Sequence, residues 1–236
     1  MSRGELAADA RVLWRLVQGQ PRRGSHAQRL EAFYAPQADR YDQFRARLLH
    51  GREELIRKLD IRPGMTVVEL GCGTGANLDA LAATVPLDEL AGVTLVDLCT
   101  PLLNVARGRT AGLERVSVVE ADVTHWRPSR PVDRVFLSYS LTMMPDWEAV
   151  LDNARAMLAP EGRLGVVDFH LPQASSRLGK GFWRRWFAHD GVYLSEKHLE
   201  SLKACHDEWY SEERRAPVPY LPGLRAPYYL FVGKKR

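Results

Sequence analysis

The chain has 236 residues, enough for one sizeable α/β domain with appendages and too few for two comfortable domains. Hydrophobic residues make up 45% of the chain, which excludes wholesale disorder. The formal net charge is only +4, although 27 of the 33 basic residues are arginine. Net charge alone therefore does not indicate an anionic partner.

The cysteines and the apolar runs limit the class of protein. Cys72, Cys99 and Cys205 are far apart and form no CxxC pair, so they predict neither a disulfide framework nor a metal site. No apolar run approaches the ~18 residues of a membrane span. The first residues, MSRGELAADARVLWRL, include acids and have no continuous apolar core, which is unlike a signal peptide. We expect a cytoplasmic protein, either soluble or bound at a membrane surface.

The first predicted elements along the chain are helical. Residues 4–18 place apolar side chains on one face at helical spacing. A second helical tract covers roughly residues 38–59, and the RPG at 62–64 ends it. We assign residues 1–60 to an N-terminal helical cap.

Strands and helices then alternate through a core domain that we assign to residues 61–170. Short apolar runs predict strands at MTVVEL, LAGVTLVDL, VSVVEAD, VDRVFLSYSL and GRLGVVDF. Helical patterns at ANLDALAATV, PLLNVARGRTAG and DWEAVLDNARAML lie between them. This alternation predicts a mostly parallel α/β sheet with helices on both faces.

The alternation stops after residue 170. Residues 208–215 and 227–233 predict two final strands around a proline-rich loop. We assign residues 171–236 to a third region, which combines an aromatic and basic segment with a C-terminal hairpin.

Three glycines, Gly71, Gly73 and Gly75, directly follow the first strand in VVELGCGTG and precede a helix. Ligands of open α/β sheets bind beyond the carboxyl ends of the strands, and glycine there allows close approach of the backbone. The run E-x-G-x-G-x-G differs from the G-x-G-x-x-G of a dinucleotide site and lacks the Gly-Lys of a P-loop. A tight turn without a ligand is the alternative.

Acids at three successive strand ends indicate which cofactor the glycines hold. Glu69 would repel a pyrophosphate but suits a cofactor with an ammonium group and a sulfonium. Asp97, with Leu98 beside it, is placed to accept hydrogen bonds from ribose hydroxyls. Asp122 is placed to accept one from an adenine amino group, to which Val123 offers its backbone. The set predicts S-adenosyl-L-methionine as cofactor and S-adenosyl-L-homocysteine as product.

With these motifs the sequence resembles the class I S-adenosylmethionine-dependent methyltransferases over roughly residues 38–170. The resemblance implies a Rossmann-like, seven-stranded sheet with helices on both faces and an antiparallel C-terminal hairpin. It also implies that Ser138 and Tyr139 line the pocket near the transferable methyl group. Tyr41 and Arg52 resemble the segment that caps the cofactor, although Tyr41 is also suited to a core position.

The chemistry of methyl transfer narrows the catalytic candidates. The methyl group moves by in-line displacement and the leaving thioether is neutral, so positioning and desolvation can supply most of the acceleration. Tyr139 is the candidate ring beside a nascent ammonium cation. His125 and His170 follow strand ends and are candidates to take a proton, while a solvated loop histidine is the alternative for each.

The segment RLGKGFWRRWFAHDGVYLS, residues 177–195, is the most informative stretch outside the core. Its first part places aromatic and aliphatic residues on one side of a helix: Leu178, Phe182, Trp183, Trp186 and Phe187. The basic residues lie on the other side: Arg177, Lys180, Arg184 and Arg185. The pattern predicts a helix in the surface of an anionic membrane, on the inner face of the cell membrane. A lid that packs its aromatic residues onto the domain is the alternative.

Four segments give a closer resemblance, to the bacterial N-methyltransferases of betaine-lipid synthesis: FRARLLHGREEL, SYSLTMMPDW, FWRRWFAHDGVYLS and RRAPVPYLPGLRAPYYLFVGKK. That family trimethylates diacylglyceryl-homoserine to diacylglyceryl-trimethylhomoserine. The resemblance implies a lipid substrate at an anionic membrane surface and an association with the enzyme that makes the homoserine lipid. Arg214, Arg215, Arg225 and Tyr228 are candidates to hold the homoserine carboxylate, and solvated strand-end charges are the alternative.

Two other functions remain open at this point. One is methylation of phosphatidylethanolamine or of another small amine. The other is a non-catalytic, cofactor-binding subunit whose aromatic segment docks a partner protein. A nucleic-acid substrate is not expected, because the chain has no N/D-P-P-Y motif and no basic tail beyond KKR.

Overall fold

The structure is a computed structural model that describes residues 25, 28, 31–32, 48–172, 176–188, 191–219 and 223–235. Statements below refer to this part of the chain. The predicted helix at residues 4–18 and the candidate residue Tyr41 lie outside it.

Six α-helices lie in the described residues: α1 Arg52–Lys58, α2 Asn77–Ala82, α3 Thr100–Arg109, α4 Trp147–Met157, α5 Arg177–Ala188 and α6 Lys197–Cys205. Short 3₁₀ turns cover Leu87–Glu89 and Leu141–Met143. None of these helices is long and apolar enough to cross a bilayer. The sequence patterns predicted α2, α3, α4 and α5, and α1 lies at the end of the predicted helical tract of residues 38–59. The patterns did not predict α6.

Seven strands form one sheet: β1 Thr66–Leu70, β2 Gly92–Asp97, β3 Val116–Glu120, β4 Val132–Ser138, β5 Leu158–Phe169, β6 His206–Pro217 and β7 Arg225–Lys235. Their order is β3-β2-β1-β4-β5-β7-β6. Strands β1 to β5 pair in parallel, whereas β7 runs antiparallel to both β5 and β6. The predicted fold class, with its antiparallel C-terminal hairpin, is confirmed.

Each face of the sheet carries its own apolar core. On one face, residues of α1, α2 and α3 pack against β1 and β2, and Phe169 and Phe187 extend that core beyond β5. On the other face, residues of α4 and α6 pack against β4, β5 and β7. Because both faces are covered, the central strands are buried on both sides and read as continuous apolar runs.

Helix α1 lies close to the sheet because β5 has a glycine beneath it. A Cβ atom added at Gly165 would lie 2.9 Å from Leu59 Cδ2 and 3.1 Å from Leu55 Cδ1. These leucines are fully buried. The close approach brings the start of α1, at Arg52, to the carboxyl edge of the central strands.

The chain order of the strands reverses between β1 and β4. Strand β1 pairs with β2 on one side and with β4 on the other. In open α/β sheets such a switch point leaves a crevice beyond the carboxyl ends of the strands. The glycine loop after β1 and the residues after β4 meet in this crevice.

Candidate active site

The loop after β1 depends on glycine for its shape. Gly71, Gly73 and Gly75 have φ angles of 72°, 56° and 71°, in the left-handed region that favours glycine. A Cβ atom added at Gly71 would lie 2.4 Å from the Cβ of Ser140, on the far wall of the crevice. The loop backbone therefore approaches the end of β4 more closely than any side chain would allow.

Asp97, at the end of β2, organises the neighbouring loops. Its Oδ2 accepts a hydrogen bond from the Gly73 N–H at 2.8 Å. Its Oδ1 accepts from the N–H groups of Leu98 and Cys99 at 2.7 and 2.9 Å. One carboxylate thus fixes the glycine loop against the turn that leads into α3. The sequence did not predict this contact between the two loops.

A cavity of about 220 Å³ lies between these loops. Its lining includes eight of the predicted cofactor residues: Arg52, Gly71, Gly73, Asp97, Leu98, Asp122, Val123 and Ser138. Gly75 lies behind the lining, where a Cβ atom would be 3.1 Å from Leu95 Cδ1. The structure therefore brings together at one cavity the residues that the strand-end argument singled out.

Glu69 lies beneath the lining instead of on it. Its carboxyl group is buried, and Oε1 accepts a hydrogen bond from Asn77 Nδ2 at 2.6 Å. Burial raises the pKa of Glu69 to about 8, against the hydrogen bond from Asn77 and the charge of Arg52, which lower it. Asn77 and Arg52 both line the cavity. Glu69 is thus placed to act on a ligand through these two side chains.

The third acid, Asp122, follows β3 and is hydrogen-bonded within the turn that it begins. Its Oδ1 accepts hydrogen bonds from the N–H and the hydroxyl of Thr124, at 2.9 and 2.6 Å. Val123 beside it is buried, and all three residues line the cavity. The turn therefore presents a carboxylate and a buried backbone side by side, as the sequence predicted for an adenine ring.

Tyr139 forms the wall of the cavity at the end of β4. Its φ angle is 54°, which is unusual for a residue with a side chain. The conformation is held by a hydrogen bond from the Tyr139 hydroxyl to the His50 carbonyl oxygen at 2.8 Å. Its buried ring also packs edge-on against Phe169, with centroids 4.8 Å apart. Backbone strain of this kind is typical of functional positions.

The cavity fits S-adenosylmethionine by the chemistry of its donors and acceptors. Two buried atoms at or beneath the lining, Ser138 Oγ and Glu69 Oε2, have no hydrogen-bond partner among the described residues. Buried polar groups are normally paired, so Ser138 Oγ, which lies on the lining, indicates a ligand that pairs with it. The glycine loop supplies the close backbone approach, and Arg52 is suited to a carboxylate.

The two candidate histidines do not reach the cavity lining. His125 is exposed, with Nδ1 2.6 Å from the Thr124 hydroxyl. His170 is buried, and its Nε2 lies 2.9 Å from Glu213 Oε2. Burial lowers the pKa of His170, although Glu213 acts in the opposite direction. His170 is therefore part of the contact between β5 and the C-terminal hairpin.

A second buried histidine, His198 on α6, makes the fold sensitive to acid. Burial lowers its pKa to about 4, and its ring packs edge-on against Trp147 at 4.6 Å. The unfolded chain binds a proton at about pH 6.5, so between pH 6.5 and 4 it holds more protons than the folded chain. Stability should fall as pH falls through this window, by up to about 3 kcal/mol from this group.

We expect His198→Phe to reduce this loss, because phenylalanine keeps the ring contact and does not titrate. The measurement is the thermal unfolding temperature of wild type and variant at pH 7 and pH 5. The unfolding temperature of the variant should fall less between pH 7 and pH 5 than that of wild type. An equal loss in both proteins would contradict the assignment to His198.

Arg214, predicted to hold a substrate carboxylate, has a different role in the structure. Its guanidinium donates to Glu54 at 2.5 and 3.0 Å and to Glu212 at 2.6 and 2.7 Å. Its Nη2, which faces both carboxylates, also lies 3.0 Å from the Tyr210 hydroxyl. Since Glu54 lies on α1 and Arg214 on β6, the guanidinium clamps the helix to the edge of the sheet and does not line the cavity.

Removing the clamp should affect stability more than cofactor binding. Arg214→Ala is expected to lower the free energy of unfolding by about 1–2 kcal/mol, since both side chains of the pair are a quarter to a third exposed. Glu54→Gln should cost less when Arg214 is already absent, because the two mutations remove one interaction. Denaturant unfolding of the single and double variants measures this coupling. If the losses of unfolding free energy in the two single variants simply add in the double variant, Arg214 and Glu54 do not stabilise the fold through one shared interaction.

The other predicted substrate residues are Arg215, Arg225 and Tyr228. They lie at the end of the β6–β7 hairpin that is next to the carboxyl end of β5. Arg215 and Arg225 are exposed, and Arg225 Nη2 donates to the Arg215 carbonyl oxygen at 3.0 Å. Tyr228 is buried opposite Phe169, the last residue of β5. None of the three lines the described cavity. Strand β7 is antiparallel to β5, so β7 begins at the edge of the sheet where the parallel strands end.

Sequence reasoning missed several residues of the lining. Asn77 is the chief one, and a buried acid eight residues before it was a signal, because such an acid needs a partner. Met143 and Met144 belong to a 3₁₀ turn and its end, where no periodic pattern identifies a wall. Leu49 precedes α1 and lines the cavity.

Comparisons with known proteins agree with this site. Residues 67–162 match the family described as "Methyltransferase domain". The trans-aconitate 2-methyltransferase of Yersinia pestis (strain Pestoides F) is 29% identical over an alignment of 180 residues, and the match covers 72% of this chain and 67% of that protein. The family match over residues 67–162 includes all three acids and the glycine loop.

Two solved structures share the fold. The N-methyltransferase NodS from Bradyrhizobium japonicum WM9, in complex with S-adenosyl-L-homocysteine, has a TM-score of 0.66 and 18% identity, and the match covers 90% of this chain and 99% of that one. Phosphoethanolamine N-methyltransferase 2 of Haemonchus contortus, with S-adenosyl-L-methionine, has a TM-score of 0.70 and 14% identity, with coverage of 91% and 60%. At these identities the likeness concerns the fold.

Proposed function

We propose that this chain, an S-adenosylmethionine-dependent methyltransferase, methylates the amine of a lipid headgroup. The proposed acceptor is diacylglyceryl-homoserine, and the product is diacylglyceryl-trimethylhomoserine. The observation that carries the proposal is the buried, strained Tyr139 on the cavity wall, because an aromatic face suits an acceptor that becomes a quaternary ammonium.

The cofactor half of the cavity positions the methyl donor. Bound S-adenosylmethionine supplies an electrophilic methyl group on a sulfonium, whose leaving thioether is neutral. In the proposal Asp97 accepts from the ribose hydroxyls and Asp122 from the adenine amino group. Arg52 holds the carboxylate, while Glu69 acts on the ammonium through Asn77. These contacts fix the direction from which an acceptor must approach.

The acceptor half of the cavity favours a neutral amine. Leu49, Met143 and Met144 give it apolar walls beside Tyr139. An apolar environment disfavours the protonated form of an amine, and only the neutral form is nucleophilic. The face of Tyr139 then stabilises positive charge as the new bond forms. Neither His125 nor His170 lines the cavity, so the proposal gives neither histidine a role in this step.

The identity of the acceptor rests on the resemblance of residues 182–195 and 214–235 to the betaine-lipid N-methyltransferases. Arg215 and Arg225 keep their predicted role in this proposal, because both are exposed at the end of the hairpin that shares a sheet edge with the carboxyl end of β5, and arginine can bind a carboxylate through two hydrogen bonds. Arg214 is omitted from this role because its guanidinium is engaged by two carboxylates.

A second candidate is O-methylation of a small carboxylic acid, which the name of the Yersinia pestis relative suggests. The described lining disfavours a polyanion, because Arg52 is its one cationic side chain. Phosphatidylethanolamine remains the alternative lipid amine. A phosphodiester places its anion on the other side of the amine from a homoserine carboxylate, so the two lipids need different pockets.

The test is methyl transfer from labelled S-adenosylmethionine to three acceptors at saturating cofactor. Diacylglyceryl-homoserine and phosphatidylethanolamine are presented in identical vesicles, and trans-aconitate in solution. We expect up to three methyl groups on the homoserine lipid and poor transfer to the others, since even a misplacement of about 1 Å can cost on the order of a hundredfold in rate. Equal or better turnover of phosphatidylethanolamine or trans-aconitate would overturn the assignment. Cofactor binding without any transfer would favour the non-catalytic subunit.

A further inference from the structure

The outward side of α5 carries an apolar stripe. Leu178 is 89% exposed, Phe182 46% and Trp186 41%. They are four residues apart, so they lie along one line of the helix, and the rings of Phe182 and Trp186 are 5.8 Å apart. Only two other large apolar side chains of the described residues are exposed, Leu113 and Tyr193. The exposure is therefore concentrated on this helix.

The aromatic residues of α5 divide between two directions. Phe187 is buried against Phe169 at 4.3 Å, and Trp183 stacks on Phe187 at 5.6 Å. The domain thus already takes up Trp183 and Phe187, as a lid would require. Phe182 touches this inward group through Trp183 of the same helix, at 5.1 Å between ring centroids, but Leu178, Phe182 and Trp186 all stay exposed, and packing of the lid does not account for that exposure.

The charge of α5 has one sign. The helix contains four basic residues and no acid. Lys180 and Arg184 bind Glu196 of the following segment at 2.6 and 3.1 Å. Arg177 and Arg185 are exposed on the outward half, beside the stripe. An apolar line flanked by arginines complements a surface with acyl chains below and anionic groups above.

The inward contacts place this surface beside the acceptor side of the cavity. Phe169, which receives Phe187, also packs against Tyr139 of the cavity wall. After α5 the chain is tied to the same wall, since the Tyr193 N–H donates to the Thr142 carbonyl oxygen at 2.7 Å. A surface bound by α5 would therefore lie next to the part of the cavity that the acceptor must enter.

We propose that α5 docks this chain on an anionic lipid bilayer. Leu178, Phe182 and Trp186 enter the boundary between headgroups and acyl chains, and Arg177 and Arg185 contact anionic headgroups. A second copy of the chain fits less well, because two α5 helices would oppose their basic residues. The stripe also has only three side chains, whereas a standard protein interface takes roughly 20–30 residues from each partner. The proposal goes beyond the proposed function and holds for any acceptor.

The experiment is co-flotation of the full chain with vesicles that contain no acceptor lipid. One set is phosphatidylcholine alone, and the other is phosphatidylcholine mixed with phosphatidylglycerol. We expect binding to the anionic set and loss of binding as salt is raised, because exposed charges are screened. Since no methyl transfer is involved, the result is independent of the proposed acceptor.

Two variant pairs separate the apolar and the charged parts of the surface. Phe182→Ala with Trp186→Ala should reduce binding about tenfold or more, whereas Leu113→Ala, an exposed apolar residue far from α5, should leave it unchanged. Arg177→Glu with Arg185→Glu should remove the preference for anionic vesicles. Arg115→Glu with Arg130→Glu is the matched control, because it changes net charge equally at exposed positions outside α5.

Several outcomes would overturn the proposal. Wild-type vesicle binding by either α5 variant pair would show that the helix is not the docking surface. Loss of cofactor binding in the Phe182 and Trp186 pair, measured by calorimetry, would show that these rings support the fold instead. A third outcome has two parts: the wild type does not bind vesicles, and light scattering shows that it is a dimer which the Phe182 and Trp186 pair converts to a monomer. That outcome would assign the stripe to a contact with a second copy of the chain.

Discussion

Asp97→Ala is expected to weaken S-adenosylmethionine binding by about 100-fold or more. The ribose would lose two hydrogen bonds to a charged group, at roughly 1.5–3 kcal/mol each. The glycine loop would also lose its anchor, because Asp97 holds the Gly73 N–H at 2.8 Å. The measurement is calorimetric titration of cofactor and product into wild type and variant.

Asp133→Ala is the matched control for this experiment. Asp133 accepts hydrogen bonds from the Thr66 N–H and hydroxyl, both at 2.8 Å, at the opposite end of β1 and β4. Its loss should lower stability without changing cofactor affinity. Wild-type affinity in Asp97→Ala, or an equal loss in Asp133→Ala, would remove Asp97 from the cofactor site.

Gly71→Ala should lower both stability and cofactor affinity. The new Cβ would lie 2.4 Å from Ser140 Cβ and 2.9 Å from Met144 Cε, so the loop or the β4 wall must move. Strain in the left-handed conformation and overpacking together should lower the free energy of unfolding by about 2–4 kcal/mol. Denaturant unfolding and calorimetry measure the two effects.

Gly112→Ala separates backbone strain from the clash. Its φ angle is 83°, but a Cβ atom there meets nothing within 4 Å. We expect a loss of about 1–2 kcal/mol from strain alone and unchanged cofactor binding. If Gly71→Ala behaves like Gly112→Ala in both measurements, the close approach of the loop to Ser140 has no functional role.

The sequence was sufficient for the central part of the fold because its signals there are local. Strands β1, β2, β4 and β5 are largely buried and appear as apolar runs, and glycine or an acid stands at the carboxyl ends of β1, β2 and β3. Helix α6 was not predicted, since its buried side includes His198 beside Leu199 and Leu202 and is not a simple apolar stripe. The pairing of β6 with β7 was predicted, but its edge contact with α1 was not.

The candidate site could be predicted where the backbone decides the geometry. Glycines and acids at strand ends converge because parallel strands end at one edge of the sheet. Glu69 differs because its side chain turns beneath the loop, where Asn77 binds it. Arg214 could not be assigned from sequence, since its partner Glu54 is 160 residues away along the chain. The residues next to an arginine in the sequence do not show whether it binds a distant carboxylate of the same chain or a substrate.

The aromatic segment shows the same limit. Helical spacing placed five apolar residues on one broad side of α5, but spacing does not say where the domain surface lies. The structure assigns Trp183 and Phe187 to the domain and leaves Phe182 and Trp186 exposed. Trp183 and Phe187 thus pack as the predicted lid would, and the proposed membrane contact uses the residues of α5 that stay exposed.

The most direct test of lipid amine methylation is mass spectrometry of lipids from a host that makes diacylglyceryl-homoserine. Wild type, Asp97→Ala and an empty control are compared at matched expression. We predict that only wild type converts the homoserine lipid into a species heavier by three methyl groups, with phosphatidylethanolamine unchanged. An unchanged homoserine lipid in cells with folded, cofactor-binding protein, or methyl groups on phosphatidylethanolamine instead, would contradict the account.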